Sequence, residues 1–331
     1  MKRKIALYLI ACLILVMGIG CSGENNGNSN ADASAPSGTQ YLSIGTGGVT
    51  GVYYPLGGTI ANLISNNIEG YNCTAESTGG AVENAKLIAS DKTELGFLAA
   101  STLYDIQYGV NAFEGEQSDQ VLGVFSFYPE VVQIVSTDPS IQTVADMKGK
   151  RVAIGSAGSG TATMTPDVLE VYGMTLDDIR GDNLGFGDAV DGLKDGNIDA
   201  AFTWAGIPTA NILDLGAQHD ISLITFSDEE LEKLQNKFPY AVPARITSDI
   251  YPSLLVDAQT FSIPAVIACS SDLSEEFVYD LLTVVFDNLD SLAQTHERGG
   301  DLKLETALDG FDGIKLHPGA ERFYKEKGIL E

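Results

Sequence analysis

Three short runs of glycine and hydroxyl residues carry the clearest chemistry in this sequence. They are Gly45-Thr-Gly-Gly-Val-Thr-Gly51, Ser77-Thr-Gly-Gly80 and Gly155-Ser-Ala-Gly-Ser-Gly-Thr161. Each lies between a strand-like stretch and a helix-like one. Glycine lets backbone N–H groups come close to a ligand, and the start of a helix adds a partial positive charge. Serine and threonine add hydroxyl donors. Three such turns facing one cleft would hold a small anion without any arginine.

Enzymatic uses of the same residues fail on detail. Gly155 to Gly160 has the glycine spacing of a phosphate-binding loop, but Thr161 stands where the lysine must be. Gly45 and Gly47 begin a dinucleotide fingerprint, and Thr50 replaces its third glycine. A serine hydrolase would need Ser156 or Ser159 as nucleophile. Neither sits in a G-x-S-x-G elbow or has an assignable His–Asp partnership. His219, His296 and His317 lack metal-site spacing, and no Cys or His cluster supports them. No catalytic residue, metal or cofactor is expected.

Aromatic side chains form a second set. Tyr53 and Tyr54 enter a helix directly after a glycine turn, where a core helix would be fixed by aliphatics. A phenol there offers both a flat wall and a hydrogen bond. Tyr128 follows a crossover strand. Trp204, the single tryptophan, ends a strand and leads into Ala205-Gly206. An indole fills a core as readily as it lines a cleft.

These residues need scaffolding, and the apolar pattern supplies it. Strands are predicted over 41–45, 72–76 and 94–98, with helices over 52–64, 81–89 and 102–108. This βαβαβ order marks an open parallel α/β sheet. Extended apolar runs follow at 121–127 and 131–135, and then the pattern restarts. A helical turn is expected over 144–147, strands over 151–155, 200–204, 221–224 and 262–268, and helices over 162–172, 188–195, 211–215, 275–291 and 320–326. The expected architecture is therefore α/β with two lobes, each an open, mostly parallel sheet flanked by helices. Residues 41–126 plus 263–331 form lobe I and 127–262 lobe II, with a ligand cleft between them at the carboxyl ends of the strands. Thr46, Tyr54 and the first two glycine turns fall on lobe I, and Ser159 and Thr161 on lobe II.

The N-terminus assigns a compartment. Lys2, Arg3 and Lys4 precede an apolar run from Ile5 to Met17, which reads as a secretory signal peptide over 1–20. The stretch Gly18-Ile-Gly-Cys21 resembles a bacterial lipobox, in which the cysteine is acylated, although that pattern usually has Leu where Gly18 stands. Cleavage nearby by ordinary signal peptidase is the alternative. Residues 21–40 are rich in Ser, Gly, Asn and Asp and read as a flexible tether. The formal charge is −26, and removal of 1–20 takes it to −29. Such acidity disfavours nucleic acid and anionic lipid head groups. Cys73 and Cys269 remain in the body; two buried free thiols are expected, although the compartment permits a disulfide.

Taken in order, several stretches resemble one family across nearly the whole body, from Tyr41 to Ile329. They are IGTGGVTGVYYPLGGTIANLI, STGGAVEN, ELGF, YPEVVQIV, GKRVAIGSAGSGT, VDGLKDGNIDAAF, AGIPTANI and LHPGAERFYKEKG. The chain resembles the TAXI solute receptors of tripartite ATP-independent periplasmic (TRAP) transporters. The resemblance implies a two-lobed periplasmic-binding-protein fold and delivery of a small carboxylate-bearing metabolite, glutamate-like or a dicarboxylate, to a membrane permease driven by an ion gradient. By motif it nominates Thr46, Gly48, Tyr53, Tyr54, Gly79, Gly80, Tyr128, Ser156, Ser159, Gly160, Thr161, Trp204 and Gly206 as ligand-facing. The family often has another small or hydrophobic residue where Trp204 stands, and the bulky indole in this chain suits a flat or partly apolar acid. A monomer, held to the membrane through a lipid on Cys21, is expected. A ligand-binding sensor or adhesin is the other non-enzymatic expectation.

Overall fold

In the computed structural model, residues 38–331 except Pro239 are described. The signal peptide, Cys21 and the tether up to residue 37 lie outside the described residues. The predicted alternation forms at once. Strand β1 (Gln40–Gly45) leads into α1 (Tyr53–Asn67), β2 (Tyr71–Glu76) into α2 (Ala81–Ala89), and β3 (Leu95–Ala99) into α3 (Ala100–Tyr108). Along α1 the buried Leu56, Ile60, Leu63 and Ile64 recur at three- and four-residue spacing, so one stripe faces the sheet. β3 is buried throughout, whereas β2 buries only Cys73, as befits an inner and an edge strand.

The runs at 121–127 and 131–135 form a single 16-residue strand, β4 (Val121–Ser136), that passes through Pro129. After it come β5 (Arg151–Ala153), α4 (Gly160–Val171), β6 (Arg180–Asp182), α5 (Phe186–Lys194), β7 (Ala200–Ala205) and α6 (Ala210–Gly216). The short β8 (Ser222–Leu223), α7 (Asp228–Lys237), β9 (Val242–Ile246) and the long β10 (Ala258–Ser270) follow. The expected helix over 275–291 is broken at Asn288 into α8 (Glu275–Asp287) and α9 (Leu289–Thr295), and α10 (Pro318–Glu326) closes the chain.

The strands join in one mixed sheet ordered β2-β1-β3-β10-β4-β7-β5-β6, with β8 on β4 and β9 on β10. β1 is parallel to β2 and β3, and β5 is parallel to β6 and β7. The two long strands run antiparallel to their neighbours and tie the halves together. β10 pairs with β9 over Ala258–Ser262 and with β3 over Ala265–Cys269, while β4 pairs with β7 only over Val131–Val135. Pro129 and Pro264 are register partners between these switches. The prolines of the two long strands therefore coincide, and the β4–β10 ladder loses donors at one place only.

One apolar cluster spans both halves on one face, joining Leu103 of α3 to Met164 of α4 and Leu234 of α7 across Val266 and Phe261. On the other face the clusters are separate, one beneath α1, α8 and α10, the other beneath α5 and α6. Thr39–Glu331 accordingly forms one compact unit. Cys73 and Cys269 are buried and unbridged. Burial pushes the Cys73 thiol up to about 12, with the nearby Glu94 adding to the effect, so it is a packing residue and no nucleophile.

Candidate functional site

Four helix N-termini converge on one cavity between the halves. Gly51, Val52 and Tyr53 bring the start of α1, and Gly79, Gly80 and Ala81 the start of α2. Ser159, Gly160 and Thr161 bring the start of α4, and Gly185 and Phe186 that of α5. Each end presents N–H groups that no turn of its own helix can satisfy. No lysine, arginine or histidine lines the cavity. Its positive character comes from backbone dipoles alone. The cavity measures about 80 Å³, room for roughly six water-sized groups at about 10–15 Å³ each.

The first two turns are fixed from behind by Asn84. Its Nδ2 donates to the carbonyls of Thr46 (2.7 Å) and Phe97 (2.8 Å), and its Oδ1 accepts from Thr78 Oγ1 at 2.7 Å. Thr46 Oγ1 donates to the Glu76 carbonyl at 2.6 Å. Gly80, capping α2, adopts φ +119°, a backbone open to glycine and strained for any other residue.

The third turn is the N-cap of α4. Ser159 Oγ accepts from Ala162 N–H at 3.1 Å and donates to the Ser156 carbonyl at 2.7 Å. The hydroxyl donor that the sequence offers at Ser159 is thus spent inside its own turn. The proton of Ser159 is already committed, and its loss would cost about 0.5–2 kcal/mol of helix stability. What this turn can offer an anion is its backbone N–H groups.

Contacts across the cleft hold the two halves against each other. Glu83 N–H, in the first turn of α2, donates to the Gly158 carbonyl at 2.9 Å. Asn211 Nδ2 donates to Thr50 Oγ1 at 3.2 Å. The backbone at Gly79 approaches so closely that an added Cβ would stand 2.5 Å from the Ala157 carbonyl oxygen. The cavity is seen in a closed arrangement.

Its floor is polar in one place. Glu130, on β4, is 5% exposed. Tyr53 Oη donates to its Oε2 at 2.7 Å, and its own carbonyl accepts from Trp204 Nε1 at 3.1 Å. Burial pushes the Glu130 carboxyl up to about 8, partly offset by the Tyr53 hydrogen bond. Desolvation, with Glu130 alongside, likewise drives Tyr53 well above the ordinary phenol range. The folded protein thus keeps a proton on Glu130 that the unfolded chain releases near pH 4.5. The stability this gives is full below that pH and is lost as pH rises through about 8. Glu130→Gln should raise the melting temperature of the ligand-free protein at pH 8 and change it little at pH 5. An equal effect at both pH values would show that Glu130 is not the titrating group.

Of the residues nominated by the sequence, Gly48, Tyr53, Gly79, Gly80, Ser156, Ser159, Gly160, Thr161 and Trp204 line the cavity. Thr46, Tyr54, Tyr128 and Gly206 do not. Thr46 is buried behind the first turn, and Tyr54 lies one helical step round α1 from Tyr53. Tyr128 is buried with its hydroxyl unpartnered, and Gly206 makes room for Tyr128 and Arg298. Glu130 and the Gly185-Phe186 turn were missed. The available signals were an acid alone in an apolar run, FSFYPEVVQIV, and a fourth glycine turn, LGFG.

A mixed sheet in two halves, two shared antiparallel strands and a cavity at the helix N-termini define the fold of the two-lobed periplasmic binding proteins. A solved protein of Listeria monocytogenes assigned as an L-cystine ABC transporter matches with TM-score 0.50 and 14% identity, over 80% of this chain and 98% of that one. The chain belongs to the NMT1-like family, whose model matches residues 44–328. Two more distant structural matches are the MOPS-bound alkanesulfonate-binding protein SsuA from Xanthomonas axonopodis pv. citri and an ancestral arginine-binding protein bound to arginine. The first has 17% identity and TM-score 0.44 over 87% of this chain and 84% of that one. The second has 16% identity and TM-score 0.47 over 78% and 97%.

Proposed function

We propose that this protein is the extracytoplasmic solute-binding subunit of a TRAP transporter of the TAXI type. It captures a small carboxylate-bearing metabolite by closing two lobes, 41–126 with 263–331 and 127–262, and passes it unchanged to a membrane permease. The observation that carries this reading is the convergence of four helix N-termini on a small cavity without a cationic side chain. Such a site favours an anion. No histidine stands beside Ser156 or Ser159 in the lining, and the Ser159 hydroxyl is spent on its helix cap. The motif matches quoted above support the transporter class. We propose further that the protein is anchored by acylation of Cys21, in which case the mature N-terminus should carry the lipid mass and Cys21→Ala should lose it; an unmodified N-terminus would refute the anchor.

The binding reading is tested by thermal shift against amino, oxo and dicarboxylic acids, with the solute recovered and analysed afterwards. A binder at about 100 times its Kd stabilises the native state by roughly 2.7 kcal/mol. Stabilisation by an acid that is recovered intact is the expected result. Sugars or nucleobases shifting the protein while no acid does would overturn the ligand class, and consumption of the solute would overturn the receptor.

A further inference from the structure

We infer that Glu130 is the seat for a protonated nitrogen on the ligand, so that the bound solute is a zwitterion with its carboxylate at the helix N-termini and its ammonium on Glu130. This deepens the receptor reading above and rests on it.

The geometry gives the ligand two unlike ends to meet. The lining takes in the starts of α1, α2, α4 and α5, which offer N–H donors, and Glu130 is its one acidic residue. That carboxyl is held from one side only: Tyr53 Oη reaches Oε2 at 2.7 Å, and no described residue donates to Oε1. No described ion pair reaches Glu130 either, although the group is 5% exposed. Carboxylates so deeply buried ordinarily have a charged partner or several donors. Arg298, which acts on nearby Tyr128, pairs through its two terminal nitrogens with Asp301 and Glu297 at 2.7 and 3.0 Å and leaves its buried Nε without a partner, and it is not among the groups that act on Glu130. Glu130 lines the cavity, and an ammonium bound there would carry the charge and the N–H donors that Oε1 lacks. Tyr53 fixes the carboxyl, and the Trp204 indole, bonded to the Glu130 carbonyl, fixes the backbone beneath it.

Binding also has a proton balance. The empty protein holds Glu130 protonated at neutral pH, since burial raises it to about 8. An arriving ammonium restores the carboxylate, and the displaced proton leaves to solvent. A diacid without nitrogen would instead use the neutral carboxyl as a donor and displace nothing.

The test compares glycine, L-alanine, L-serine and L-glutamate with acetate, propanoate, lactate and glutarate, by calorimetry at pH 7 in two buffers of different ionisation enthalpy. The amino acids should bind more tightly than their nitrogen-free counterparts, with release of about one proton per site from the wild type. Glu130→Gln keeps the shape and the Tyr53 contact but not the charge. It should weaken amino-acid binding by about thirtyfold or more and abolish proton release. If nitrogen-free acids bind better, or amino acids bind without releasing a proton, the Glu130 inference falls while the receptor reading stands. If no acid of either kind binds, both fall. Proton release is measured on the wild-type protein, so the inference stays open to refutation even if Glu130→Gln does not fold.

Discussion

Gly79→Ala is expected to leave both halves of the protein folded and to prevent them from closing. The Cβ would stand 2.5 Å from the carbonyl oxygen of Ala157 on the opposite half, and a backbone oxygen inside a glycine turn cannot swing aside as a side chain can. Its other close neighbour, Glu83 Oε2 at 2.6 Å, is the mobile end of a side chain. Relief therefore comes from opening the cleft. That would also break the 2.9 Å bond from Glu83 N–H to the Gly158 carbonyl. A ligand gripped from both sides would keep the donors of α1 and α2 and lose those of α4 and α5. One hydrogen bond to a charged group contributes about 1.5–3 kcal/mol, so affinity should fall by roughly ten- to a hundredfold or more. Small-angle scattering should show that saturating ligand compacts the parent and fails to compact the variant, while circular dichroism is unchanged. A variant that compacts and binds like the parent would mean that the contact at Gly79 does not limit closure.

Trp204→Ala should have the largest effect on stability of any substitution in the site. The indole is 8% exposed, packs against Gly160 at the start of α4, and donates to the Glu130 carbonyl. Truncating a buried tryptophan costs about 3–5 kcal/mol, which for a body of this size is roughly 10 °C in melting temperature. It also leaves a buried carbonyl without its donor. Trp204→Phe should recover much of the packing but not that bond, and so melt between the two. If Trp204→Ala melts within about a degree of the parent, the side chain is not the support described here.

The turns were legible because glycine and hydroxyl residues between a strand pattern and a helix pattern have few other uses. Their partition between direct and supporting roles was not. Thr46 and Gly48 are two residues apart, yet one hydroxyl is spent on the Glu76 carbonyl while the other residue borders the cavity. That division depends on β2 and Asn84, which sit far along the chain. Glu130 was hidden for the same reason, since its burial depends on Tyr53, on a different element. Helix α7 escaped because its apolar periodicity is thin: Leu231 and Leu234 are its buried residues and acids fill its first turn. The capping box of Ser227 and Glu230 was the signal that marked it. The continuity of β4 through Pro129 was likewise unreadable, because it needs Pro264 as the register partner.

The central claim is that this cavity reversibly holds a small acid, and the protein carries a built-in reporter for it. Trp204 is the only tryptophan in the chain and lines the cavity. Its emission, followed while small amino and carboxylic acids are titrated in and then dialysed out, tests the claim most directly. The account predicts a saturable change with at least one acid, full return on dialysis, and no change in Gly79→Ala at the concentration that saturates the parent. Emission that stays constant across the whole panel, or a change that persists because the acid has been consumed, would contradict it.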